Sequence, residues 1–389
     1  MCISVESVTY LENIVYLDNS STTPVCEKAQ KEIYLAVSRD FGNPSSLHVL
    51  GFNAEKRVSS ARSLAADMIG AAPSEVYFTS GGTEGNNTAL FGAAYARKKR
   101  GRKIVTTAIE HPSVAEPIKR LQEEGFTVVR IKPESDGTVS KESIFNAIDE
   151  NTILVSIMLV NNETGAVLPV SAAREAIEKT GAPAILHCDA VQAFGKIPIN
   201  VNKLGADIIT VSAHKIHGPK GAGFIYIKKG ITVKPFILGG GQEKGFRSGT
   251  EAVPAICGMY GAMKAIGDIN ENCKRVKELR DFAASELTNN GIAVINSPDS
   301  ALPYVLNISV EGYRSETLLH FLENEGVFVS SGSACAKGKG SYVLGEMGLP
   351  RRRIDSALRI SFSRFNTKDD VICLISAIER ARAVLRRVK

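Results

Sequence analysis

Ile208-Ile209-Thr210-Val211-Ser212-Ala213-His214-Lys215-Ile216-His217-Gly218-Pro219-Lys220-Gly221 changes character in its middle. A β-branched apolar run stops at Ser212, a lysine follows between two histidines, and a Gly-Pro turn closes the stretch. Such a run reads as a strand buried on both faces, with its polar residues gathered at the tip. The pattern recurs outward in both directions, at Val76 to Thr79, Ile104 to Thr107, Val128 to Ile131, Ile153 to Val160, Ile185 to His187 and Phe224 to Ile227. Helical spacing separates most of these runs, as in Ala54 to Ile69 and Val114 to Glu124, with Pro112, Gly125 and Pro133 as punctuation. The alternation predicts an α/β fold built on a mainly parallel, seven-stranded sheet.

After about Ala262 the texture changes. A long charged helix from Met263 to about Asn289, a strand Tyr304 to Val310, a helix Arg314 to Glu325 and a strand Leu358 to Phe362 predict a second, smaller α+β domain. In the last helix Val371, Leu374, Ile375, Ile378, Ala381 and Leu385 share one face, and Thr367 with Asp370 reads as a capping box. The expected limits are 15–262 for the large domain and 1–14 with 263–389 for the small one.

Composition narrows the function. With 44% hydrophobic and 23% charged residues among 389, the chain is neither disordered nor fibrous. No run approaches the ~18 apolar residues of a membrane span, so no membrane association is expected. The net charge of +6 is mild and no recognition motif accompanies it, so DNA is not an expected partner. Seven cysteines without a CxxC pair argue against a disulfide framework and a zinc ribbon, and no resident metal is expected. Met1 to Tyr10 carries Glu6 and does not read as a signal peptide, which makes the cytoplasm the expected location.

The chemistry lies where polar residues gather at strand ends, because ligands of open α/β sheets sit beyond the carboxyl ends of the strands. Thr79-Ser80-Gly81-Gly82-Thr83-Glu84-Gly85-Asn86-Asn87 leads through glycines into a helix and could cup a phosphate, or be an ordinary turn. Asp189, in His187-Cys188-Asp189-Ala190-Val191-Gln192, could meet a protonated ring nitrogen or cap the next helix. Lys215 between His214 and His217 could be an amine of lowered pKa, held among cationic groups for imine formation, or a solvent-facing charge. Asn161-Asn162-Glu163 offers amides to a ring oxygen, and Glu110-His111-Pro112 an imidazole that could stack or be purely structural. Together these groups match what pyridoxal phosphate needs.

With those motifs in place the chain resembles the cysteine desulfurases of the NifS/IscS type, in the class V aminotransferase group of fold-type I enzymes, over nearly its whole length. Further matches are Tyr16-Leu17-Asp18 with Thr22-Thr23-Pro24, Gly42-Asn43-Pro44-Ser45-Ser46-Leu47-His48, Gly239-Gly240-Gly241-Gln242-Glu243 with Arg247-Ser248-Gly249-Thr250, Ser331-Gly332-Ser333-Ala334-Cys335 and Leu358-Arg359-Ile360-Ser361. The resemblance implies pyridoxal 5'-phosphate on Lys215, Asp189 at its ring nitrogen, Gln192 at its ring oxygen and Asn162 against cofactor and substrate. It places Gly82, Thr83, Ser212 and His214 on the phosphate, with Thr250 donated across a homodimer. It gives Arg359 the carboxylate of L-cysteine, sets Asn43 near the substrate entrance, and makes Lys215 or His111 the group that moves the Cα proton.

Cys335, in a glycine-rich segment at about 330–342 with Lys337 and Lys339, becomes the nucleophile that takes sulfur as a persulfide. L-alanine leaves, and the sulfur passes to an acceptor, an iron–sulfur scaffold or a tRNA-thiolating enzyme. With a scaffold partner Cys335 could also ligate a nascent iron–sulfur cluster. A selenocysteine lyase, a class V aminotransferase and a non-catalytic sulfur-transfer platform are the rival readings. Gly82 and Gly85 stand where the family commonly has Ala and Ser, His217 where it has Tyr and Ser363 where it has Gly, and the segment after Cys335 is about two residues short.

Overall fold

A computed structural model describes residues 14–331 and 340–387. Its main sheet has the strand order Val76–Thr79, Gly223–Ile227, Ile208–Ser212, Ile185–Asp189, Thr152–Met158, Lys103–Thr107, Thr127–Ile131. Gly223–Ile227 is antiparallel to both neighbours, and the other strands share one direction. Thr79, Thr107, Met158, Asp189 and Ser212 therefore finish at the same end of the sheet, as the polar clusters required. Ile104, Val105, Ile153, Leu154, Val155 and Ile157 are fully buried in its centre, each contributing about 1.5–3 kcal/mol of hydrophobic stabilisation.

Several elements differ from the sequence reading for local reasons. Thr127–Ile131 is an edge strand, so Thr127 and Arg130 are exposed and the two-sided burial expected of every strand fails there. The strand expected to reach Val160 stops at Met158, because Val160 bridges Val167 across a turn stapled by Asn161. In that turn Asn161 Oδ1 accepts the Glu163 and Thr164 N–H groups at 2.9 and 3.0 Å. The helix expected from Met263 is two helices, Val253–Lys264 and Ile269–Asn289. Gly267 takes a left-handed φ of 70° between them, and Asp268 caps the second through the Asn270 and Glu271 N–H groups.

The C-terminal part holds the antiparallel sheet Ala357–Ser361, Val305–Ser309, Val294–Ile295, covered by helices Ile269–Asn289, Ser315–Asn324 and Lys368–Val384. The capping box at Thr367 and Asp370 forms as expected. The short strand Val15–Tyr16 pairs with Val327–Phe328, so residues inside the expected large-domain limits hydrogen-bond to the C-terminal elements. Past that strand the chain is a clasp: Leu17 N donates to Phe328 O, Ser20 N to Ser361 Oγ and Thr23 N to His214 O. It thereby joins the tip of the main sheet to the smaller sheet. Among the described residues no helix is long and apolar enough to cross a membrane.

Gly85 has a packing cause. A Cβ there would stand 2.5 Å from Thr210 Cγ2. Thr210 Oγ1 is in turn 3.1 Å from His187 Nε2, whose Nδ1 is 2.9 Å from Ser156 Oγ in the floor beneath the helix. Gly85→Ala should therefore destabilise by about 1–3 kcal/mol through overpacking, less the ~1 kcal/mol that alanine gains in a helix. Thr210→Ser, which removes that methyl, should relieve the loss. Denaturant midpoints of the four proteins check this, and equal effects of Gly85→Ala in both backgrounds would contradict it.

Candidate active site

A cavity of about 340 Å³ opens at the carboxyl end of the main sheet. Ser20, Ser21, Gly82, Thr83, His111, Asn162, Asp189, Gln192, Ser212, His214, Lys215 and Arg359 all line it, so residues from separate strand ends do converge. Asn43 and Thr250 do not: both are exposed and neither lines this cavity. Asn43 spends its Oδ1 on the Ser45 N–H within its own turn. Cys335 lies outside the described residues.

Lys215 sits in the short turn that follows Ile208–Ser212. Its Nζ donates to Ser20 O at 2.6 Å and Ser21 O at 2.7 Å. Burial, and next the Arg359 guanidinium, bring its pKa down to about 8, against the opposing pull of Asp18 and Asp189. The flanking histidines are not the cationic neighbours the sequence suggested. Burial drives both His214 and His217 to about 4, so they are neutral near pH 7. His217 adopts a left-handed φ of 67°, with its ring edge-on to Phe365 and its Nδ1 3.0 Å from Pro24 O.

Asp189 is the last residue of its strand and almost fully buried. It accepts hydrogen bonds from Val191 N at 2.9 Å and Asn86 Nδ2 at 2.7 Å, and burial raises its pKa. Asn86 also donates to Ser113 Oγ at 2.9 Å, which lies 2.8 Å from His111 Nδ1. The Ser113 N–H donates to that same Nδ1, capping helix Pro112–Glu123. With Nδ1 held as an acceptor, the proton of the neutral ring is on Nε2. Burial lowers the His111 pKa and so favours the neutral ring.

Arg359, fully enclosed, donates to Asn162 O at 3.0 Å, Asp18 Oδ1 at 2.9 Å and Ser21 Oγ at 2.6 Å, and its Nε is unpaired. Asn162 Oδ1 is also buried without a partner, whereas Asn161 is consumed by its turn and by Ile109 O. The structure thus gives a physical difference between two amides that residue type alone left equivalent, with Asn162, the one implied by the family resemblance, lining the cavity.

Beside the main cavity a second space of about 280 Å³ is lined by Ser80, Gly81, Gly82, Thr83, Ser212 and His214. It sits at the N-terminus of helix Gly82–Arg97, where Gly81 has a φ of 147°. Unpaired N–H groups and the helix dipole favour an anion there. Glu84, in the same turn, is neutralised by Arg247 through bonds of 2.8 and 3.0 Å. Arg62 similarly holds Glu243, so the loop from Gly239 to Thr250 is clamped against this corner.

The residues present fit pyridoxal phosphate: a desolvated amine, a buried carboxylate lacking a cation and an unpaired amide oxygen share one cavity, and an anion cup adjoins it. Sequence reasoning missed Ser20, Ser21, Ser113 and Tyr342. Ser113 was findable as the residue after a His-Pro helix start. The two serine carbonyls left no side-chain signal.

The class V aminotransferase family model matches residues 15–374. The chain is 37% identical over 387 residues to "Cysteine desulfurase IscS" of Methanosarcina thermophila, covering 98% of this chain and 95% of that one. Among solved structures, "NIFS-LIKE PROTEIN" superposes with a TM-score of 0.91 at 39% identity, covering 96% of this chain and all of the other. "SspA in complex with cysteine" superposes with a TM-score of 0.80 at 31% identity, over 90% and 99% of the two chains.

Glu110 lies directly beneath His111. Its Oε1 accepts from Thr107 Oγ1 and Met158 N, its Oε2 is unpaired, and burial lifts its pKa to about 8. A carboxyl protonated in the folded state but ionised in the unfolded one makes the unfolded state bind fewer protons, so stability falls as pH rises. The window runs from its ordinary 4.5 to about 8. Urea unfolding at both ends of that window should show the wild type losing more stability than Glu110→Gln. Parallel losses would refute the assignment.

Proposed function

Because the chain belongs to the class V aminotransferase family, among its cysteine desulfurases of the NifS/IscS type, we propose that this cavity binds pyridoxal 5'-phosphate and takes sulfur from L-cysteine. The observation that carries the reading is Lys215: a desolvated amine at a strand tip, held by two carbonyls rather than an acid, beside Asp189 and Arg359. Lys215 would hold the cofactor covalently, Asp189 its ring nitrogen, Gln192 its ring oxygen, and Gly82, Thr83, Ser212 and His214 its phosphate. Thr250, exposed and away from this cavity, would complete the phosphate site across a homodimer. When bound, the cofactor supplies an electron-poor ring that stabilises negative charge at the substrate Cα.

The protein's own groups do the rest. Arg359, whose Nε–H is unpaired, takes the substrate carboxylate, and the contact becomes two-pronged as the carboxylate displaces Asp18 or Ser21 from Nη2. Lys215, with a pKa of about 8, is the base for the Cα proton. His111, whose Nδ1 is held by Ser113, offers an Nε2–H donor, which favours Lys215 over His111 for proton abstraction. The Cys335 thiolate attacks the substrate sulfur: an S–S bond forms, the Cβ–S bond breaks with its electron pair left on carbon, and protonation at Cβ together with return of the Cα proton held by Lys215 releases L-alanine. Sulfur stays on Cys335 as a persulfide until an acceptor protein collects it, an iron–sulfur scaffold or a tRNA-thiolating enzyme. A cytoplasmic location suits that role.

Two measurements test this. After treatment with L-cysteine, mass spectrometry should find one added sulfur on the peptide containing Cys335. Stoichiometric alanine beside an unmodified peptide would remove the persulfide step, and borohydride reduction of the holoprotein that labels a lysine other than Lys215 would remove the cofactor assignment. Separately, Arg359→Lys should raise KM for L-cysteine by about ten- to a hundredfold, since it loses a charge-assisted, bidentate contact. An unchanged KM would mean the substrate carboxylate binds elsewhere.

A further inference from the structure

Lys196 is buried to 5% exposure, and among the described residues it makes no ion pair. A buried ammonium without an acid is costly, and its presence demands a compensating role. Its Nζ donates to Gln192 Oε1 at 3.0 Å, and the Tyr304 ring lies 5.7 Å away. On its other side Gln192 Nε2 donates to Ser20 O at 2.9 Å. That carbonyl is the one that also accepts from Lys215 Nζ. The side chains thus form one line, from Lys196 through Gln192 and the Ser20 carbonyl to Lys215.

The chemistry of the two end groups decides the orientation of the amide between them. An ammonium can only donate and a carbonyl can only accept, so Gln192 must turn Oε1 to Lys196 and Nε2 to Ser20. Gln192 and Ser20 both line the main cavity. The amide then presents an NH₂ group there, with one hydrogen spent on Ser20 and a second for an acceptor in the cavity. Without Lys196 only the Ser20 carbonyl would hold the amide, and a turn that set Oε1 toward the cavity, lone pair first against an anionic oxygen, would cost one contact fewer.

We propose that Lys196 is a positioning residue: it locks the Gln192 amide so that this side chain is a hydrogen-bond donor toward the cavity and admits a ligand bearing an anionic ring oxygen. The inference rests on the cofactor reading above and extends it to a residue that does not line that cavity. Burial, then Lys215 and Arg359, bring the Lys196 pKa to about 7, so near neutral pH the group is divided between ammonium and amine; the amine still carries N–H donors for Oε1, and the strict lock belongs to the ammonium, below pH 7. Its charge is tolerated because the amide oxygen and the aromatic face share it.

The test is a double-mutant cycle on cofactor affinity. Apoprotein forms of the wild type, Lys196→Met, Gln192→Ala and the double variant are titrated with pyridoxal 5'-phosphate, following the visible band, with thermal unfolding as the check on folding. Lys196→Met should weaken binding about tenfold, the scale of a lost hydrogen bond to a charged group. It should shift the absorption maximum in the same direction as Gln192→Ala, and add less than about twofold in the Gln192→Ala background, because interactions through one shared partner are not additive. Binding by Lys196→Met equal to the wild type, or additive losses in the double variant, would each overturn the proposal. A wild type that gives no band at all would instead overturn the cofactor reading.

Discussion

A lysine amine kept from water must still find acceptors for its N–H groups. Ser20 O and Ser21 O meet that demand for Lys215, and contacts on either side hold the backbone that carries them. They belong to a clasp running from Leu17 to Thr23. One side of it is bonded to the turn at His214 and His217, the other to Phe328, Ser361 and Arg359. The amine on the main sheet and the guanidinium on the smaller sheet are consequently held by one short piece of backbone.

Burial sets the electrostatics of the cavity more than any single ion pair. It lowers Lys215 and Lys196, leaves His187, His214 and His217 neutral, and raises Asp189, Glu110 and Glu163. The histidines around the lysine therefore act as neutral hydrogen-bonding groups. Arg359, with Asp18 beside it, and Asp189, with only neutral donors in direct contact, are the two charges for which an incoming ligand can complete the pairing. Under the proposed function an amino acid carboxylate would answer the first and a protonated ring nitrogen the second.

Polar contacts also connect this floor to the chain beyond residue 340. Ser341 Oγ donates to the buried Glu163 carboxylate, and Tyr342, which lines the cavity, donates from its hydroxyl to Glu110 O. Glu163 follows Asn162, whose carbonyl holds Arg359, and Glu110 precedes His111. The end of the segment that follows Cys335 in sequence is thus fastened to the neighbours of two site residues. Ser330, on its other side, exchanges backbone bonds with Arg359 itself.

Strand positions, the polar clusters at their tips and the final helix were legible in the sequence, because period, propensity and punctuation are local properties that survive without neighbours. Ile208 to Ser212 and Val76 to Thr79 carry their burial in their composition. The break at Gly267 and Asp268 was equally local, yet a continuous charged pattern concealed it. What sequence could not supply were relations between distant atoms. Only the folded chain shows Asn161 consumed by its turn, neutralises the histidines beside Lys215, spends Gly85 on the methyl of Thr210, and links Lys196 to Gln192. Burial and hydrogen-bond direction depend on which surfaces meet, and a linear order of residues determines that only through the tertiary structure.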